Sequence, residues 1–478
     1  MLKIFKNFNK KDVLLIIICI TLICAQVWLD LKLPDYMSEI TKLVQTDGSS
    51  IKDVLKQGGY MLACAGGSLI FAAIVGYLAS YISASLSMKI RKKIFSKVET
   101  FSMEEMNKFS VSSLITRTTN DITQIQMFIS MGLQMLIKAP ITAVWAVLKI
   151  LNKSFEWSAI TGVAVLVLFV TIVFLLIAVF PNFKKVQNLL DKVNRITREN
   201  LTGIRVVRAF NAEKYQEEKF EKENTNLTNM QTFNQRCFAV MSPVMYMVMY
   251  VLTLAIYFVG AKLIDQALMA DKLSLFSDMV VFSSYAMQVI MSFIMLAMIF
   301  VMYPRAAVSA KRINEVLDIE PSIKDGEIIL EESGKCGEVE FKNVSFKYPD
   351  GNENVIENIS FKAKKGETIA IIGATGSGKS TLVNLIPRFY DVTEGEVLVD
   401  GVNVKKYNQN ALHNKIGYVP QKAVMFSDSV SNNVAYGDNG KGEKSKEQIK
   451  KAIEVAQGKD FIEKMDGTYD AHIAQGGT

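Results

Sequence analysis

The sequence predicts a six-helix, all-α membrane domain followed by a soluble α/β domain. Three observations carry this. Apolar residues gather in charge-free runs, basic residues gather in alternate connections between those runs, and beyond about residue 337 short strand-like segments alternate with glycine-bearing turns. The mean hydropathy of the 478 residues is +0.21, above zero, which is rare for a soluble chain of this length. Half of the residues are hydrophobic and the net charge is only +7, so disorder is excluded. That charge is also too small to argue for a nucleic-acid partner, and a membrane protein with one basic face carries it without further explanation.

A bilayer core of about 30 Å takes about 20 apolar residues in a helix. The first span, residues 13–33, is almost wholly apolar up to Asp30. A removed leader is the other reading of this stretch, but no small-x-small site follows and five more runs do, so a membrane anchor is expected. The second span, 57–86, has no charge, and its Gly66, Gly67, Ala72, Ala73, Gly76 and Ala79 permit close helix contact. The third, 127–151, is weaker because Lys138 and Lys149 interrupt it. Lys138 is expected to snorkel or to find a structural partner, in preference to serving a pathway. The fourth, fifth and sixth spans (158–180, 238–262 and 279–303) are bare of charge up to the edges of each run. In the sixth, Met287, Met291, Met295, Met298 and Met302 fall on one helical face. Ordinary helix packing is the plainer reading of that stripe, and a cavity for varied apolar guests the other.

Lys3, Lys6, Lys10 and Lys11 precede the first span, Lys89 to Arg117 follow the second, and eleven basic residues lie within 181–236. The opposite connections are poor in them, so both termini are expected in the cytosol of a multi-pass cell-membrane protein. The two middle cytosolic segments are long and rich in helix formers, with Ile204, Val207 and Phe210 at helical spacing. A 25-residue arm would reach about 40 Å from the membrane. Cys19, Cys24, Cys64, Cys237 and Cys336 have neither zinc nor disulfide spacing and are expected to be reduced, structural thiols.

The membrane domain is expected to end near residue 320, with a Gly- and Pro-containing linker over 321–337 and the soluble domain over 338–478. Residues 339–348 alternate as strands do, 368–372 (TIAII) and 416–419 read as short buried strands, and 397–399 runs into an Asp400-Gly401 turn. Directly after TIAII stands Gly373-Ala-Thr-Gly376-Ser-Gly378-Lys379-Ser380-Thr381, which fits G-x-x-x-x-G-K-[ST]. The glycines let backbone amides face a phosphate, Lys379 reaches the β- and γ-phosphates, and the Ser380 hydroxyl suits magnesium. Chance gives this string in roughly one chain in sixty of this length. The preceding strand pattern and the following Leu382, Val383, Leu385 and Ile386 make a fortuitous glycine loop far rarer. Upstream, Tyr348 could stack on adenine or be an ordinary aromatic, and Gln421 could reach magnesium or be an ordinary loop residue.

Six spans, long arms and this loop together resemble the ABC exporter half-transporters, along essentially the whole chain. The resemblance makes Tyr348 the adenine-stacking A-loop residue, Gly373, Gly376, Gly378, Lys379, Ser380 and Thr381 the Walker A loop, and Gln421 the Q-loop residue with Ser380 on Mg2+. Residues 113–121 and 202–213 look like its two coupling segments and 312–318 like the stem into the ATPase domain. Arg205, Arg208 and Glu213 would then face a docked ATPase surface, or else belong to a solvated helix face. Ser112 and His413 depart from the usual Gly and Arg. The resemblance places the signature sequence, the Walker B aspartate, the catalytic glutamate and the switch histidine after Ala474-Gln475-Gly476-Gly477-Thr478. On that basis the ATPase domain is expected to be incomplete, with no catalytic carboxylate in this chain and no hydrolysis by it alone.

What the resemblance implies is ATP-driven export of a small apolar or amphipathic substrate of multidrug type, with ATP and Mg2+ as cofactors. A second half-transporter subunit would complete the pathway, with a heterodimer slightly preferred over a homodimer. Two other classes stay open: an exporter-shaped importer of a metal chelate or vitamin, and a non-transporting membrane ATPase acting as a regulator.

Overall fold

In a computed structural model of the chain, all residues are described except 47–48, 152–154, 330–336, 422, 438–441, 475 and 477–478. Cys336, Gly334 and most of the terminal Gln475-Gly476-Gly477-Thr478 stretch therefore lie outside the described residues. Two compact units emerge: Met1–Glu99 with Val111–Asp318, and Thr100–Ser110 with Ile319–Thr478.

Each charge-free run lies inside a long helix. After a short α1 (Leu2–Phe5) these are α2 (Lys10–Gln45), α3 (Ile51–Val98), α6 (Asn120–Leu151), α7 (Phe155–Thr202), α9 (Glu213–Gln266) and α10 (Met269–Leu317). Among the described residues six helices are long and apolar enough to cross a membrane. Local chemistry starts them: Asn9 and Asp12 form a capping box on α2, and the Ser50 hydroxyl accepts from the Lys52 amide on α3. Pro34, Pro140, Pro181, Pro243 and Pro304 sit inside five of these helices. In water an internal proline breaks a helix, whereas packed neighbours in a bilayer tolerate one. Helices α7 and α9 run 48 and 54 residues, at 1.5 Å per residue well over twice the bilayer core. The short α8 (Ile204–Ala209) joins them.

Packing here follows shape, because lipid tails are as apolar as the side chains. A Cβ on Gly67 would come within 3.0 Å of Leu29, and one on Gly260 would strike the Met279 side chain. The core joins Ile23, Val75, Ala146, Trp157, Leu252, Phe282 and Tyr285. The Met stripe of α10 stays off that core: Met291 and Met298 are about half exposed, while Phe282, Ala286, Val289 and Ile290 on the same helix are buried.

Charges inside the spans are paired. Lys138 on α6 meets Asp30 on α2 at 3.1 Å, and Ser68 on α3 also donates to Asp30. Lys149 reaches Asp35 at 2.8 Å, and the buried Tyr285 on α10 donates to Asp35 at 2.5 Å. Lys138 thus has the structural partner expected of it. Further along, α5 (Val111–Thr118) and the start of α6 bind the end of α10: Arg117 to Glu315 at 3.1 Å and to the Arg312 carbonyl, and Ser309 to Asp121 at 2.9 Å. Residues 113–121 and 312–318, singled out separately in the sequence, are partners of each other.

The second unit is built on an antiparallel sheet in the order β2-β1-β3-β4. Strand β1 (Val339–Phe346) lies between β2 (Ile356–Ala363) and β3 (Glu394–Val399), with β4 (Val402–Asn403) beyond. Phe341 pairs with Phe361 on one side and Val397 on the other. Asp400 (φ 55°) and Gly401 (φ 83°) make the two-residue turn from β3 to β4, both left-handed as that hairpin requires. The Asp400 carboxylate is buried and accepts from the Gly337 amide at 2.7 Å and from Lys415 at 2.8 Å. Residues 368–372 and 416–419, expected as strands, are not strands. Apolar on both faces, they need ladder partners on both edges, and among the described residues nothing pairs with them; Ile372 and Val419 are 92% and 93% exposed. Part of the stretch read as a linker is anchored instead. The Gly326 and Ile328 amides donate to Tyr407 and Lys406, and Ile323 is buried.

A piece of the membrane half belongs to this unit. Helix α4 (Met103–Lys108) opens on a Ser102/Glu105 capping box, and the buried Glu105 also accepts from the Ser322 amide at 3.1 Å. Asn107 donates to the Tyr390 hydroxyl at 3.2 Å. Residues 100–110, rather than 113–121, are the stretch grouped here. Burial pushes the Glu105 carboxyl up, but hydrogen bonds from Ser102 and Ser322 outweigh this and hold it below its ordinary value of 4.5.

Two outcomes follow. A carboxylate with a depressed value stabilises fully above its ordinary value and loses that contribution as pH falls through the depressed one. Exchange of the 100–110 amides, normalised to intrinsic rates, should therefore rise as pH drops below about 4.5, and Glu105→Gln should flatten this response. In the spans, Lys138→Met alone should destabilise by about 2–4 kcal/mol, with Asp30→Asn added recovering much of it, as read by thermal unfolding in lipid. Additive losses would show that the two side chains do not act as a pair.

Candidate nucleotide-binding site

The loop from β2 ends in α11 (Lys379–Leu385), and its glycines set its shape. Gly376 (φ 85°) and Gly378 (φ 84°) are left-handed, a conformation that costs other residues about 1–2 kcal/mol. At Gly378 space is also lacking: a Cβ would lie 3.1 Å from the Val355 carbonyl and 3.3 Å from the Ile356 side chain. The Ser377 amide donates back to the Ala374 carbonyl at 3.2 Å, closing the turn. Inside this curve the Lys379 ammonium donates to the carbonyls of Gly373 and Ala374, at 2.9 and 2.7 Å. The loop thus curls back onto the Lys379 ammonium, a cation available to the phosphates of a nucleotide.

Thr381 is buried in the first turn of α11 and exchanges a hydrogen bond with the Tyr348 hydroxyl at 2.9 Å. The half-buried Tyr348 ring meets Phe346 and Tyr390 edge to face, at 4.9 and 5.2 Å between centroids. The aromatic singled out upstream is thus fastened to the first turn of the helix that follows the glycine loop. Ser380 and Gln421 are exposed. Gln421 lies in a bend and, among the described residues, makes no hydrogen bond to Ser380 or to the loop. No group of three or more His, Cys, Asp or Glu able to hold a metal occurs among the described residues.

Two site-supporting residues escape sequence reading. Tyr390 packs on Tyr348, and Asn384 on α11 accepts from Tyr418 at 2.9 Å, tying the stretch before Gln421 to the helix. Neither belongs to a motif, and both act through residues 34 or more positions away.

Comparison with known proteins agrees with this geometry. Residues 15–293 match the family model of the ABC transporter transmembrane region, and residues 356–477 match that of the ABC transporter itself. An uncharacterized ABC transporter ATP-binding protein of Mycobacterium bovis is 33% identical over 446 residues, covering 92% of this chain and 75% of its own. The similar protein YfiB of Bacillus subtilis is 33% identical over 86% of this chain and 70% of its own. An ATP-dependent lipid A-core flippase of Pseudomonas fluorescens is 30% identical over 84% of this chain and 66% of its own. With its helical transmembrane region joined to an ATP-binding region, the chain belongs to the ABC transporters, as a half-transporter of exporter type.

Proposed function

We propose that this half-transporter moves a small apolar or amphipathic substrate outward across the cell membrane, with both termini in the cytosol. The observation that carries the reading is the Lys379 ammonium held inside a glycine-walled loop on a chain with six spanning helices. Gly373, Gly376, Gly378, Lys379, Ser380 and Thr381 would cradle the phosphates of ATP, Tyr348 would meet the adenine, and Ser380 with Gln421 would complete the shell of Mg2+. A carboxylate base is a further requirement of hydrolysis. A second subunit would supply the other half of the pathway, a heterodimer being slightly favoured over a homodimer.

Two features support the substrate class. Relatives about 30% identical are named ATP-dependent lipid A-core flippases, a name that refers to a lipid. The thioethers of Met291 and Met295 lie on a face of α10 that the chain's own core leaves open, and flexible thioethers adapt to varied apolar guests.

Lys379→Ala should weaken ATP binding by about tenfold or more, roughly 1.4 kcal/mol, and abolish transport into inside-out vesicles. A variant that binds ATP and transports as well as its parent would sink the proposal. Met291→Ala combined with Met295→Ala should change which apolar substrates are carried while leaving basal ATP use intact. Unchanged handling of every substrate would remove the stripe from the pathway.

A further inference from the structure

Tyr348 belongs to a group of three rings whose centroids stand 4.9 Å (Phe346 to Tyr348), 5.2 Å (Tyr348 to Tyr390) and 5.5 Å (Phe346 to Tyr390) apart. The triangle is nearly equilateral, so Phe346 and Tyr390 sit together on one flank of Tyr348 and cannot cover both of its faces. No other ring touches it among the described residues. Both neighbours meet it almost at right angles, 79° and 89°, an arrangement that fixes the plane of a ring. Its hydroxyl is held by Thr381. Tyr348 therefore has a set orientation and an open face, which is what a platform for a flat base needs.

Tyr390 is engaged at both ends. Its ring meets Tyr348, and its hydroxyl accepts from the Asn107 side chain on α4 at 3.2 Å. Beside it lies a cavity of about 100 Å³, lined among others by Ser102, Glu104, Ser322, Phe346, Tyr390 and Asp391. A close-packed core would pin the ring, whereas a void that can hold water leaves it room to tilt. We infer that Tyr390 is a positioning residue for the base of the nucleotide, and that through Asn107 it relays the arrival of that base to residues 100–110. A base stacked on the open face presses Tyr348 toward its two neighbours. Phe346 is fixed in strand β1 and buried in the core of the sheet, so Tyr390 is the one that yields. The inference rests on the reading of Tyr348 as the residue that meets adenine. Because Thr381 also ties Tyr348 to α11, the test has to separate the base from the phosphates.

Inorganic tripolyphosphate carries the phosphates of ATP without the base and is the control probe. With the full chain in nanodiscs and Mg2+ present, ATP should slow exchange of the 103–108 amides of α4, and tripolyphosphate should not. Tyr390→Leu should weaken ATP about fivefold, the scale of an aromatic edge contact, and leave tripolyphosphate affinity unchanged. Tyr390→Phe keeps the ring and loses the hydroxyl, so it should keep ATP affinity and lose the 103–108 protection; Asn107→Ala should do the same. Protection by neither probe, equal protection by both, or equal loss of both ligands in Tyr390→Leu would each overturn the inference. So would full protection retained in Tyr390→Phe and Asn107→Ala. Tyr348→Ala separates this inference from the reading beneath it. If ATP weakens there but not in Tyr390→Leu, the role of Tyr390 alone fails; if ATP binding is undiminished in Tyr348→Ala, the adenine reading fails with it. The exchange comparison uses the unaltered chain, so misfolding of a variant leaves the test decisive.

Discussion

A charge in a hydrocarbon layer must find an opposite charge, and this requirement organises the membrane half of the protein. Two carboxylates on one helix, Asp30 and Asp35, serve as its anchoring points. Through Lys138, Lys149, Ser68 and Tyr285 they tie α2 to α3, α6 and α10. Dispersion packing among apolar helices in lipid is weakly directional, so a few such contacts select which faces meet. The small residues of α3 then let the backbones approach where the polar contacts have aligned them, as at Gly67 against Leu29.

The ATP-binding unit obeys a different constraint, since its site depends on backbone conformations that only glycine adopts without strain. Gly376 and Gly378 turn the loop back so that its own first carbonyls receive Lys379. Glycine at 378 also admits the close approach of Val355, so the loop is seated on the sheet as well as curled. Behind it, the Tyr348–Thr381 hydrogen bond and the Tyr348, Phe346 and Tyr390 cluster fix the first turn of α11 against β1. The loop is thereby held from both its glycine side and its aromatic side.

The same aromatic cluster extends to a segment far away in the chain. Tyr390 accepts from Asn107, and Glu105 accepts from the Ser322 amide, so a helix lying between two membrane spans is held within the ATP-binding unit. Chemically this attachment is polar, made of serines, an asparagine, a tyrosine and one carboxylate. It is therefore open to tuning by single substitutions in a way the apolar bundle is not.

Much was legible in residue order alone. Charge-free runs of bilayer length, the glycine-lysine loop and the Asp400-Gly401 turn are local facts, each set by hydrocarbon thickness or by φ at one or two residues. Strands at 368–372 and 416–419 were misjudged because a strand belongs to a ladder, and composition does not contain the partner. Also illegible were the partners of Lys138, 108 residues away on Asp30, and the pairing of residues 113–121 with the end of α10. So too were the fastening of Tyr348 to Thr381 and the membership of residues 100–110 in the second unit. Periodicity and motif spacing record what neighbours along the chain impose on one another, so the sequence by itself determined the helices, the loop and the family. Which distant polar groups satisfy each other depends on where packing brings the helices and the sheet, and only the tertiary structure decided that.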